Sequence, residues 1–431
     1  MIPRLRTGSI GLRGGARVGA AVNMRIALLA VLPFAVGSAC DRGVGGGYQN
    51  AVADSAGIKI VTVRPPLDAG SLRRELQSPP DLDLGVGEGS AELMFAGVIG
   101  ALRLSGGRIV VGNSLTKELR FFESDGRFVT SVGRDGEGPG EFRRLDYLGT
   151  LGADTIFAYD RQLRRISLFR GSGALIESRI VARNPAVVGR VRPFRMVGWQ
   201  VTGTDDNPPG IYTLPIEYGQ LDLPGGEYHR MGEIASREIA RVRYSGRTAI
   251  VHRPFGRETD LAAGGIHFFV LESTDDRSIR VYGATGALLR VLRLAIQKEP
   301  VDAATVEGWV ETWLLNLPWN SEPTIARYRQ GFQAISSPDS VPVFRSLEVD
   351  TSGNVCAERY PLRWDTPLEY WCLSPEGELQ RILRVPAGLS RPGPHPDTDP
   401  QLEIGTDHVL GVWQDSVGVQ HVRMYAIKPE R

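Results

Sequence analysis

The sequence predicts an all-β protein of repeated four-stranded units closed into a ring, and three observations predict it. The first is a recurring segment, an apolar residue followed three positions later by an aromatic or leucine and four later by glycine. It occurs as LRFFESDG (119–126), ISLFRGSG (166–173), IRVYGATG (279–286) and YWCLSPEG (370–377). A fifth copy, VRMY (422–425), lacks the glycine because the chain is ending. The second is register: Ile109 precedes Phe122 by 13 residues, and Ile156 precedes Phe169 by the same 13. The third is the glycine-rich stretch VGRDGEGPGEFRRL (132–145), which falls between the first two copies. Repeats at a spacing of this size mark a repeat architecture. Four strands per unit, closed on themselves, make a β-propeller.

Each element follows from these patterns. The apolar run of every copy reads as a strand, and its glycine as a hairpin turn into the next. GRIVV (107–111) and DTIFAY (154–159) are equivalent upstream strands, and RFVTSV (127–132) and ALIESRI (174–180) are the outer strands. Spacing sets the count. One unit separates positions 119 and 166, while the gap from 166 to 279 leaves room for a degenerate blade within about 190–245. The interval 279–370 holds one unit plus an insertion. Six blades fit, and seven if the middle gap hides two. The early strand GIKIVTV (57–63) is expected to complete the last blade and close the ring, removing exposed sheet edges.

The insertion, 300–335, reads as helical. Asp302 caps a helix on which Val306, Val310, Trp313 and Leu317 share one face, and Pro318 stops it. A second helix follows over 323–335. Trp309, Trp313 and Trp319 cluster here. They form either a partner-binding patch or lid over one mouth of the ring, or the anchors that hold the helices on it.

The amino-terminal segment reads as an address. Met24-Arg25, the apolar run 26–36 and the small residues 37–39 have the three parts of a secretory signal. Eleven apolar residues are too few to cross a bilayer, which takes about 20. Residues 1–39 are therefore expected to be a signal peptide, with 1–23 upstream of the true start at Met24. Cys40 stands where a bacterial lipoprotein carries its lipidated cysteine, and the stretch resembles a lipobox, although Gly37 occupies a position usually held by leucine. The alternative is plain cleavage after Ala39. Residues 40–56 then read as a flexible glycine-rich tether, and 57–431 as the propeller. The expected location is exported, periplasmic or in the cell envelope, with the membrane as a partner through the lipid.

GEGPGEF (136–142), the repeated blades and the exported amino terminus together resemble the bacterial six-bladed propeller proteins related to NHL repeats. The resemblance covers about 57–431 and implies a propeller fold and an exported, often lipid-anchored protein. It implies little about activity. Within the motif, Gly136, Gly138 and Gly140 are expected to permit positive φ, Pro139 to stiffen the link, and Phe142 to plug between sheets. Glu141 would repel a phosphate, so the loop is structural rather than a phosphate cradle.

Chemical signals are sparse. Basic residues (50) balance acidic ones (49), leaving no footprint for nucleic acid. The six histidines form no HxH or HExxH pair, and no G-x-S-x-G elbow occurs. Asp205-Asp206 and Asp275-Asp276 read as solvated turns. Cys356 and Cys372 are symmetric about residue 364 on neighbouring strands, which makes them a candidate disulfide. Outside the cytoplasm such a bridge would contribute about 3 kcal/mol in the chain-entropy account. The alternative is two reduced cysteines filling the blade interior.

The function expected is a non-catalytic binding scaffold with an unknown small-molecule or protein partner and no cofactor. One alternative is a lactonase-like hydrolase or lyase with a divalent metal held by carboxylates and amides from different blades. The other is a structural subunit of an envelope complex.

Overall fold

The computed structural model describes residues 50–431 apart from 66–68, 153, 182–185, 192–194, 202–207, 223–226, 245–246, 318–320, 391–399 and 429–431. Cys40, Pro318, Trp319 and the Asp205-Asp206 turn lie outside the described residues.

The described residues begin with four short strands: β1 (Ala51–Ser55), β2 (Ile58–Val63), β3 (Arg73–Glu75) and β4 (Leu82–Leu84). Blade 1 follows as β5 (Val98–Arg103), β6 (Ile109–Asn113), β7 (Glu118–Phe122) and β8 (Phe128–Val132). Blade 2 is β9 (Leu145–Leu151), β10 (Thr155–Asp160), β11 (Arg165–Arg170) and β12 (Leu175–Ile180). Blade 3 opens with β13 (Ala186–Val191) and β14 (Arg195–Val201). After the excursion β15 (Gly210–Tyr212) it resumes as β16 (Pro215–Asp222) and β17 (Tyr228–Ala235). A second excursion, β18 (Ile239–Tyr244) and β19 (Arg247–His252), precedes blade 4: β20 (Asp260–Gly264), β21 (His267–Glu272), β22 (Asp275–Gly283) and β23 (Leu288–Leu294). Helices α1 (Ala303–Leu315) and α2 (Glu322–Gln333) come next. Blade 5 is β24 (Phe344–Val349), β25 (Val355–Arg359), β26 (Leu368–Leu373) and β27 (Leu379–Val385). Blade 6 has β28 (Glu403–Ile404), β29 (His408–Gln414) and β30 (Gln420–Ala426).

The 13-residue spacing is a pairing rule: Ile109 lies opposite Phe122, and Ile156 opposite Phe169. All five repeats are third strands of their blades, β7, β11, β22, β26 and β30. Their hairpin glycines, Gly126, Gly173, Gly286 and Gly377, all have positive φ, between 85° and 95°. The repeat at 422–425 has no such turn because its fourth strand comes from the start of the chain: β4 pairs antiparallel with β30.

Inner blade strands such as β6 and β21 are buried on both faces, whereas the outermost strand β8 alternates between half-buried and exposed residues. In β25, Val355 and Ala357 pack toward blade 4 while Cys356 packs toward blade 6. In β21, Phe269 and Leu271 pack toward blade 5 while Phe268 and Val270 pack toward blade 3. The resulting apolar clusters form one between each successive pair of blades, from blades 1 and 2 through to blades 5 and 6. A further cluster joins Leu410, Val412 and Val422 of blade 6 to Val98, Ile109 and Phe122 of blade 1. The ring is closed, and the number of blades is six.

The strand expected at 57–63 to close the ring does not do so. β2 instead adds parallel to β23 as an extra outer strand of blade 4, and β3 adds in the same way to β27 of blade 5. The amino-terminal segment thus runs as a strap along the outside of blades 4, 5 and 6. It covers edges that would otherwise offer unpaired backbone groups. β2 suits that place because Val61 and Val63 bury against Leu292 and Leu294 while Lys59 stays exposed.

The middle interval holds one blade, β13-β14-β16-β17, and in addition a three-stranded sheet, β15-β18-β19. β15 sits in the link between second and third strands of blade 3, and β18–β19 and α1–α2 sit in links between blades. In an antiparallel blade these links all emerge at the same end. There they build a cap with its own core, in which Ala240, Val242 and Val251 of the sheet meet Trp309, Val310, Trp313, Leu314 and Phe332 of the helices. Asp302 caps α1 by accepting from the Thr305 amide at 2.8 Å.

Cys356 and Cys372 lie directly opposite on β25 and β26, with their Cα atoms 3.8 Å apart, and are joined as a disulfide. Both are fully buried.

Candidate functional site

The first strands of the blades surround a central cavity of about 870 Å³, within the range that small-ligand sites occupy. Its walls come from β5, β9, β20, β24 and β28, and its roof from the cap. Alternation along β18 explains the roof. Ala240 and Val242 face the helices, so Ile239 faces away from them, and Ile250 on β19 does the same. Together with Leu214 and Ile216 they give the cavity an apolar ceiling.

The walls carry polar groups that tie neighbouring strands together. Gln401 accepts from the Leu148 amide at 3.1 Å, and Asp260 accepts from the Leu347 amide at 2.8 Å. Tyr147 stacks on Phe157 with ring centroids 5.4 Å apart. Burial pushes the Tyr147 hydroxyl well above its ordinary range, the Glu348 charge adds to that push, and a hydrogen bond with Gln401 opposes it. Tyr147 is therefore a neutral hydroxyl at physiological pH. Beside the cavity, Arg345 and Glu358 form a buried pair at 3.3 Å, exposed by only 3% and 0%. Ser346 and Tyr370 donate to the same carboxylate at 2.6 and 3.1 Å, and the guanidinium lies 4.6 Å over the Trp364 ring.

At the opposite end from the cap, Glu403 accepts from the Arg103 amide of blade 1 at 3.0 Å and from His408 Nε2 at 2.9 Å. His408 Nδ1 faces Asp407 at 2.7 Å. Burial pulls the His408 pKa down, but hydrogen bonds to Glu403 and Asp407 outweigh it and hold the pKa above the ordinary value. The bond from His408 is also the main reason the Asp407 pKa is lowered to about 2.

Sequence-expected sites fall in different places. Phe142 plugs between blades 1 and 2, buried against Phe121, Leu145 and Phe169. Glu141 turns inward on its own loop, accepting from the Gly138 amide at 2.8 Å and Arg134 Nε at 2.6 Å. Of the three glycines expected at positive φ, only Gly140 has it, at 75°. At Gly136 and Gly138 glycine serves a different need, since a Cβ at either would strike the Glu141 carboxyl group. Trp309 and Trp313 are not a partner patch: each is 3% exposed, with Phe332 packed edge-on to both rings. An amphipathic helix must bury its wide aromatic face, and the cap sheet supplies the surface that covers it. Asp276 is likewise not a solvated turn residue. It is buried, paired with Lys298 at 2.8 Å, and accepts from the Val343 amide.

Among the described residues, the one trio of His, Cys, Asp or Glu side chains close enough to share a metal is Asp350 with Cys356 and Cys372. Both thiols are consumed by the disulfide, and Asp350 accepts from Arg381 at 2.9 Å and Asn354 at 3.0 Å. The chemistry of that donor set does not suit a metal centre. Sequence reasoning missed Tyr147, Arg345, Glu358, Gln401, Glu403 and His408. Arg345 and Glu358 do not stand out locally, because their strands each carry a second charged residue, Glu348 on β24 and Arg359 on β25.

A family model described as a 6-bladed beta-propeller (DUF5128) matches residues 92–170, which span blade 1 and most of blade 2. Six blades joined by six apolar interfaces, together with this match, decide the fold. The chain is a six-bladed β-propeller. No curated protein matches it. Similar solved structures include a Bacteroides fragilis protein described as exported, with 11% identity over 86% of this chain and 100% of that one, at a TM-score of 0.45. A DUF4221 family member from Bacteroides vulgatus shares 11% identity over 83% of this propeller and 99% of its own chain, at a TM-score of 0.41. A catalytically inactive virginiamycin B lyase from Staphylococcus aureus, solved with quinupristin, shares 10% identity over 81% of the propeller and 99% of its own length, at 0.36. Among the described residues, no helix of the propeller is long and apolar enough to cross a membrane.

Proposed function

We propose that the propeller is an exported, non-catalytic binding protein that holds a small molecule in its capped channel. The observation that carries this reading is the cavity itself: about 870 Å³, roofed by aliphatic side chains and walled by polar groups. Gln401, Asp260 and Glu403 already hold backbone amides of neighbouring strands. Groups committed in this way orient a ligand, whereas proton transfer or nucleophilic attack needs a group poised on the reacting atom. The ligand of this site has an apolar part that lies under Ile239 and Ile250, and hydrogen-bonding groups that face Tyr147 and Gln401.

The expected result is a small molecule recovered on denaturing the native protein, and absent from a Thr150→Trp variant whose indole fills the channel. Equal recovery from both proteins would overturn the site. Chemical conversion of the recovered molecule on incubation with fresh protein would overturn the non-catalytic reading.

The same proposal places the propeller outside the cytoplasm, tethered through a lipid on Cys40. Supporting it are the signal-like segment 24–40 and the buried disulfide, a bond that persists in oxidising compartments. Two results are expected together. A thiol reagent added to unfolded, unreduced protein leaves Cys356 and Cys372 unmodified, and Cys40→Ser moves the protein from the membrane fraction to the soluble one. Labelling of both cysteines would overturn the export reading, and an unchanged membrane fraction would overturn the anchor.

A further inference from the structure

We propose that His408 is a pH-sensitive clasp on blade 6: in acid it holds Glu403 and Asp407, the two carboxylates that meet Arg103 of blade 1, and it loosens them as the pH rises. The seam between these blades is the one place where the ring must be closed by residues far apart in the chain. Glu403 reaches across it to the Arg103 amide with both carboxylate oxygens, at 3.0 and 3.2 Å. Arg103 reaches back to Asp407 at 3.1 Å. His408 lies between the two carboxylates, 2.9 Å from Glu403 and 2.7 Å from Asp407, and is 7% exposed.

Protonation decides what this arrangement can do. An imidazolium donates from both ring nitrogens and so bonds both carboxylates at once. A neutral ring donates from only one, which leaves either the largely buried Glu403 or the exposed Asp407 facing a nitrogen lone pair. The charged neighbours are accounted for on every side. Arg103 on β5 also faces Nδ1, at 3.1 Å, and favours the neutral ring. Arg381 on β27 is engaged by Asp350 at 2.9 Å and by the Gly405 carbonyl at 2.8 Å. Two carboxylates in direct contact prevail over one guanidinium that is itself shared with Asp407. The clasp also touches the cavity, because Glu403 is one of its wall residues.

The sign follows from linkage. A histidine whose folded pKa exceeds its unfolded value stabilises the fold fully below the unfolded value, and that contribution disappears as pH rises through the folded one. In urea denaturation of the full chain between pH 5.5 and 9, the wild type should lose folding equilibrium constant relative to His408→Gln as pH rises. The loss should be about tenfold for each unit by which folding raises the pKa. Parallel pH profiles of the two proteins would overturn the clasp. A second readout does not require the variant to fold. The His408 ring, followed by NMR in the native protein, should titrate above the ordinary value of about 6.5, and a midpoint below it would overturn the proposal.

Discussion

Removing residues 50–84 should leave a chain that no longer unfolds cooperatively and that associates through its sheet edges. The reason lies in blade 6, which has only three strands of its own. β4 supplies the fourth, with Leu82, Asp83 and Leu84 opposite Met424, Arg423 and Val422. Leu82 and Leu84 are buried in the cluster that also holds Val98, Phe122 and Leu410, so these two leucines also join blade 6 to blade 1. Asp83 points the other way and is held by His421 at 2.8 Å and Arg423 at 2.9 Å. Truncation opens the seam and also uncovers β23 and β27, whose outer edges β2 and β3 protect. A milder change, Leu84→Ala, should cost about 2–5 kcal/mol, a large share of the roughly 5–15 kcal/mol that stabilises a domain. Size-exclusion chromatography and urea melts decide the matter. A monomeric 85–431 fragment with the wild-type midpoint would show that the strap is dispensable.

Replacing Arg345 by methionine should cost about 3–5 kcal/mol, because it removes a guanidinium that faces the buried Glu358 carboxylate at 3.3 Å. Glu358 is completely buried, and the Arg345 guanidinium lies 3.3 Å from its carboxylate. Ser346 and Tyr370 also donate to it, which keeps the carboxylate oriented but does not neutralise it. The double variant Arg345→Met, Glu358→Gln should regain most of the loss, since a neutral amide oxygen still accepts from both hydroxyls. Equilibrium denaturation of the two variants separates a charge effect from a packing effect. If the single variant lost no more than about 0.5 kcal/mol, the size of an ordinary surface change, the pair would have no structural role.

Legibility in the sequence followed how local each interaction is. The partner of Ile109 is Phe122, reached through a single hairpin, so spacing alone reveals it. Asp302 and the Val306–Val310–Trp313–Leu317 face are readable for the same reason, since a helix is set by neighbours three and four residues away. Arg345 and Glu358 show in the sequence only as charged residues, each with a second charge on its own strand, and their meeting depends on β24 lying beside β25. Tyr147 and Gln401 carry no comparable signal. They come together because β9 and the approach to β28 both line the channel, with Leu148 and Gln401 253 positions apart in the chain.

Strand boundaries, hairpin turns, the cap helices and the propeller class were determined by the sequence itself, because alternation and turn chemistry act over a few residues. The tertiary structure decided which strand closes the ring, what covers the tryptophans and which polar groups face the channel. β2 and β4 are both short, β-prone and close to the amino terminus. Only the order in which the strap meets the edges of blades 4, 5 and 6 places β4, not β2, against β30. That choice is made by sheet edges far away in the chain, with Lys59 paired to Arg290, Arg73 to Ile382 and Asp83 to Arg423. No local pattern records which edge a strand will find open.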